Sequence, residues 1–84
     1  MPDTHSPVQH HLVLHRIEPE QGVARFYSLM IERDLFGRVV LVRSWGWIGT
    51  HGRERAEEYP SEIEAGQALE MVAQTKRRRG YRDL

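Results

Sequence analysis

The five residues Pro60-Ser61-Glu62-Ile63-Glu64 divide the chain into two parts that cannot share one kind of secondary structure. Ser61 and Glu64 make the S-x-x-E capping-box pattern, in which each side chain bonds the other residue's backbone amide at the start of a helix. Beyond them Ala65, Ala68, Leu69, Val72 and Ala73 recur at intervals of three and four, drawing one apolar stripe with Ile63 and Met71 toward its flanks. Gly80 ends the helix, after Lys76, Arg77, Arg78 and Arg79, whose charge suits the negative end of the helix dipole.

Before Pro60 the pattern changes. HHLVLHRIE at 10–18, VARFYSLMIER at 23–33 and RVVLVRSWGWIG at 38–49 are rich in branched and aromatic residues and read as strands. PEQG at 19–22 and DLFG at 34–37 have turn composition. THG at 50–52 breaks the third strand, and RERAEEY at 53–59 alternates weakly around Ala56 as a solvated edge strand. YRDL at 81–84 is a candidate short fifth. The expected fold is α+β: an antiparallel sheet of three to four strands, with room for that fifth, and one C-terminal helix packed on one face. Residues 1–9 carry two prolines and no periodicity and are expected to form a flexible N-terminal arm, leaving 10–84 as the single domain.

Eighty-four residues without cysteine can hold neither a disulfide nor a thiolate site, which fits a reducing compartment. The start, MPDTHSPVQHH, lacks the basic and apolar order of a signal peptide, and VVLV at 39–42 is far too short to span a bilayer. A soluble cytoplasmic protein with no membrane partner is expected. Twelve basic and twelve acidic side chains cancel, which argues against indiscriminate attraction to polyanions. Their placement is uneven, however: residues 57–70 are acidic and 76–82 basic. Eleven of the twelve bases are arginine, whose planar guanidinium suits phosphate and aromatic faces.

Both tryptophans fall in SWGWIGTHG at 44–52. On a strand Arg43, Trp45 and Trp47 project to one side, while Gly46 leaves the other side open to a bulge or to an approaching backbone such as the helix. Gly49 and Gly52 bracket Thr50 and His51, permitting a tight turn. Two readings of the indoles stand side by side. They fill the core of a small domain, or at least one forms an aromatic platform beside Arg43, Arg53 and Arg55, with phosphate contacts from Lys76, Arg77, Arg78 and Arg79. The basic run is open to the same choice between phosphate binding and solvated, dipole-complementing charge.

Other chemistries find little support. His11 and His15 share a strand face but stand about 13 Å apart, too far for one ion, and His5 and His10 add no ligand spacing, so no metal site is expected. Ser44, Ser61, His51, Glu57 and Glu58 lie in no catalytic spacing, and no phosphate-binding glycine loop is present. The chain is expected to be neither an enzyme nor a cofactor binder.

From about Leu12 to Tyr81 the sequence resembles the WGR domain, found in poly(ADP-ribose) polymerases and in small bacterial proteins. The matching parts come in the family's order: Phe26 and Tyr27 on an aromatic-containing strand, the signature Trp45-Gly46 followed by I-G-T-x-G at 48–52, an acidic stretch, and a helix closing in bases before Gly80 and Tyr81. The third signature position, arginine in the family's name, is Trp47 here. The resemblance implies that Trp45 packs against sugar-phosphate at a DNA break, while the missing arginine would relay a signal to neighbouring domains; Arg43, on the same strand face, is a candidate substitute. It thus implies a module for DNA or RNA, chiefly DNA ends or distorted backbone. The alternative is a protein-interaction module whose Trp45/Trp47 surface receives a partner or a second copy of the chain.

Overall fold

The computed structural model describes residues 11–84. The N-terminal arm expected at 1–9, together with His5 and His10, lies outside the described residues. Strands β1 (His11–Glu18), β2 (Val23–Arg33), β3 (Val39–Trp47) and β4 (Arg53–Tyr59) precede helix α1 (Glu62–Arg78) and a two-residue strand β5 (Arg82–Asp83). They form one antiparallel five-stranded sheet in the order β4-β3-β2-β1-β5. The short fifth strand is therefore real, and it closes the edge beside β1, with β4 at the other edge. No helix among the described residues is long and apolar enough to cross a membrane.

Alternation along the strands sorts side chains onto two faces. Leu14, Tyr27, Leu29, Ile31, Val39 and Leu41 point to the face that α1 covers, where they meet Ala65, Leu69 and Ala73 in the core. Leu14, Leu29 and Leu41 are wholly enclosed, each contributing roughly 1.5–3 kcal/mol by leaving water. The helix contributes alanines where it comes closest, so its backbone can lie near the sheet. Ile63 and Met71, on the flanks of the stripe, remain largely exposed.

Helix α1 starts and stops where the sequence predicts, although of the two capping-box bonds only the one from the Glu64 amide is formed among the described residues. Ser61 adopts extended backbone and its hydroxyl accepts from the Glu64 amide at 3.2 Å. At the other end Gly80, with φ 98°, reverses the chain: its amide donates to the Arg77 carbonyl and the Tyr81 amide to the Lys76 carbonyl, both at 3.1 Å. This Schellman arrangement satisfies carbonyls left over by the helix and returns Tyr81 to the core. It also fixes where Lys76 stands relative to two tyrosine rings.

Candidate nucleic-acid interface

The pairing of β2 with β3 sets Tyr27 opposite Trp45 and Arg25 opposite Trp47. The two indoles consequently have different surroundings. Trp45 is half-buried, packs against the core and stacks on Tyr27 with centroids 5.7 Å apart and planes 14° from parallel. Trp47 is 52% exposed, with the Arg25 guanidinium carbon 5.3 Å from its ring centroid. The rings therefore differ in burial: Trp45 lines the core, while Trp47 is open to solvent with Arg25, rather than Arg43, Arg53 or Arg55, on its face.

The loop after Trp47 holds this edge in shape. Ile48 donates to the Ala24 carbonyl at 2.9 Å, and both the amide and the hydroxyl of Thr50 donate to the Trp47 carbonyl, at 3.1 and 2.7 Å. The chain then doubles back so closely that a Cβ on Gly46 would lie 2.8 Å from the Gly52 Cα, and one on Gly52, whose φ is +69°, would overlap the Trp45 carbonyl. The backbone that approaches Gly46 is therefore this loop, not the helix. Without both glycines β4 could not begin beside Trp45.

Between the Tyr27 ring and the last turns of α1 runs a groove of about 350 Å³, lined by Arg43, Met71, Val72, Thr75, Lys76 and Arg79 as well as Tyr27. Lys76 Nζ sits 4.5 Å from the Tyr27 centroid and 5.8 Å from that of Tyr81, which itself meets Tyr27 edge-on at 6.4 Å. The ammonium gains from the ring faces. Burial nevertheless lowers its pKa below the ordinary lysine value, and the positive charges of Arg79, Arg43 and Arg25 push it in the same direction. Burial raises the Tyr27 pKa as well.

The remaining cations divide into held and unheld. Arg43, half-buried, reaches Glu57 at 3.4 Å, and its Nε–H is enclosed without an acceptor. Glu57 is shared with Arg55 at 3.5 Å. Arg77 is committed elsewhere, gripping Asp83 of β5 through two bonds of 2.7 and 2.8 Å, which tie the helix end to the edge strand and raise the Arg77 pKa. Arg25, Arg53, Lys76, Arg78 and Arg79 form no salt bridge among the described residues. The structure thus brings Arg43, Trp45, Lys76 and Arg79 to the Tyr27 groove and sets Arg53 opposite Trp45 across β3 and β4. It turns Arg77 toward Asp83 and leaves Arg78 on the exposed helix surface.

Sequence reasoning missed Arg25, which supplies a guanidinium to the indole from the neighbouring strand. Its place follows from the hairpin register, in which Arg33 pairs with Val39 around residues 34–38 and Arg25 therefore with Trp47; the 34–37 turn read from the sequence would set residue 25 opposite Gly46 instead.

A model of the WGR domain family matches residues 10–84. The chain belongs to the WGR family. An uncharacterized protein, y4dW, of Sinorhizobium fredii (strain NBRC 101917 / NGR234) is 38% identical over 71 residues, which cover 84% of this chain and 35% of that protein. This WGR chain therefore spans about a third of the relative's length. No solved structure matches it. Within the WGR signature, the chain keeps Trp45 and Gly46 and replaces the arginine with Trp47, against which Arg25 packs.

Proposed function

We propose that this WGR domain binds nucleic acid, chiefly DNA at ends or distorted backbone, without catalysing a reaction on it. Trp47 offers an exposed ring for a sugar or base, and Arg25 beside it offers a bidentate donor for the adjoining phosphate. Lys76 and Arg79 continue the positive surface along the groove, and Arg53 flanks it. Contacts of this kind grip the backbone and carry little sequence information. The family's occurrence in poly(ADP-ribose) polymerases agrees with this reading.

One observation carries the proposal: a solvent-open indole lies beside a group of cations that no carboxylate neutralises among the described residues. Neutral net charge does not prevent binding, because the field near a ligand follows the local arrangement. The test is a titration of nicked duplex, intact duplex and single strand, followed by tryptophan fluorescence at several salt concentrations. With three to four phosphates neutralised, log affinity is expected to fall with log salt at a slope of about −3. Absence of any fluorescence change, or affinity independent of salt, would overturn the proposal in favour of a protein partner.

A further inference from the structure

The sheet has a second face, opposite α1, that no element among the described residues covers. Val13, Phe26, Met30, Val40 and Val42 project there, half-buried by one another and by the strands, with the loop at 48–52 lying against Phe26 at one end, and none belongs to the core beneath the helix. Ile17, at the end of the same face, is 57% exposed. An apolar sheet face ordinarily packs on a second layer.

Charge says what that layer is. On β4, Glu54 projects to this face in register with Ser44, Ser28 and Val13. At the opposite side of the sheet His11 and His15 project from β1, one residue pair to either side of Val13, and Arg82 of β5 stands beside His15. The face is therefore acidic along its β4 edge, apolar in the middle, and carries histidines and an arginine along its β1/β5 edge. Glu32 and Glu58 lie together in an end row, at the rim.

We propose that this face packs against the same face of a second copy of the chain. Two symmetric stackings are available to sheets lying about 10 Å apart. A two-fold axis running across the strands sets β4 antiparallel on β4, so the glutamates of one copy, Glu54 and Glu58, face those of the other. An axis parallel to the strands sets β4 of one copy over the β1/β5 edge of the other, bringing Glu54 toward His11, His15 and Arg82 twice over while the valines, Phe26 and Met30 meet in the middle. The second stacking is the one the charges select. It leaves Trp47 and Lys76 on the outer faces, so it stands independently of the proposed nucleic-acid interface.

Four strands about 4.8 Å apart and about 20 Å long give ~400 Å² of face before side-chain relief is counted. Stable complexes bury ~800 Å² per partner, so the expected dimer is concentration-dependent rather than permanent.

Sedimentation velocity from micromolar to near-millimolar protein provides the test. The wild-type mass should rise from one chain toward two. Val42→Lys should move the midpoint up by roughly thirtyfold or more, with circular dichroism and the Tyr27–Trp45 near-ultraviolet signal confirming that it folds. Glu54→Arg should weaken dimerisation about three- to fivefold, and Glu54→Arg combined with Arg82→Glu should recover it. Trp47→Ala should leave it unchanged. A chain that stays monomeric at near-millimolar concentration would overturn the proposal, as would a dimer that survives Val42→Lys and is lost with Trp47→Ala.

Discussion

The two ends of the sheet carry the same local pairing, an arginine laid on an exposed aromatic ring, and differ in what becomes of the charge. At the β2–β3 turn the Arg38 guanidinium lies 5.0 Å from the centroid of Phe36, which is 80% exposed. There Arg38 bonds Asp34 at 2.9 Å and approaches Glu58 at 3.8 Å, and Arg33 meets Glu62 at 3.2 Å. At the far end Arg25 lies on Trp47, and neither it nor Lys76 or Arg79 has a carboxylate partner among the described residues. An exposed ring with an arginine is thus not in itself a binding signature. The unneutralised cations set the tryptophan end apart.

Glycine substitutions give the sharpest contrast between the ends. Gly37 and Gly52 have similar positive φ, +79° and +69°, but an added Cβ meets nothing at Gly37 and the Trp45 carbonyl at Gly52. Gly37→Ala should cost about 1–2 kcal/mol for the backbone conformation alone. Gly52→Ala should cost on the order of 3 kcal/mol or more, because the loop must move off β3 as well. Urea unfolding of the two variants measures the difference, and equal losses would remove the claim that the loop is clamped.

Ring deletions come next in size. Trp47→Ala should lower DNA affinity by about 1–3 kcal/mol at nearly unchanged stability, whereas Phe36→Ala should leave affinity as it was. If both variants bind equally well, the two ends are equivalent and the comparison fails. Among the cations, Lys76→Gln should flatten the salt dependence by a slope of about 1. Arg38→Gln, already neutralised by Asp34, should not alter it.

Acidity produces the smallest and most local differences. The Asp34 carboxylate accepts from the amides of Phe36 and Arg38, each at 2.9 Å, and these bonds with the Arg38 charge hold its pKa below the usual aspartate value. Its contribution is complete above the ordinary aspartate pKa and is lost as pH falls through the lowered value, so there the Phe36 and Arg38 amides should lose their protection from exchange, relative to free peptide at the same pH. Lys76 behaves oppositely. Its lowered pKa means that the fold holds a disfavoured charge, so stability should rise as pH climbs from that value to the ordinary lysine pKa, while phosphate binding fades. Side-chain NMR titration of Asp34 and Lys76 checks both directions.

Much of this was legible in the residues. The capping box, the apolar stripe and the turn compositions located α1, and branched segments located four strands, because these signals act over a few neighbouring positions. Strand alternation correctly put Arg43, Trp45 and Trp47 on one face. It could not show that Trp45 would find Tyr27 beneath it while Trp47 remained in solvent, since that depends on how far the helix end and Tyr81 reach along the sheet. Nor could the run 76–79 reveal that Arg77 would be taken by Asp83, because a two-residue strand gives almost no periodic signal. The cations divided by long-range pairing, and pairing is what local patterns omit.

Leu35 is 99% exposed at the tip of a turn fixed through Asp34, at the far end of the sheet from Trp47. Because the chain contains no thiol, Leu35→Cys would create a unique attachment point for a dye or a solid support. A fluorophore or sensor surface coupled there would leave the indole free, so that ligand capture could be watched one molecule at a time without obstructing it.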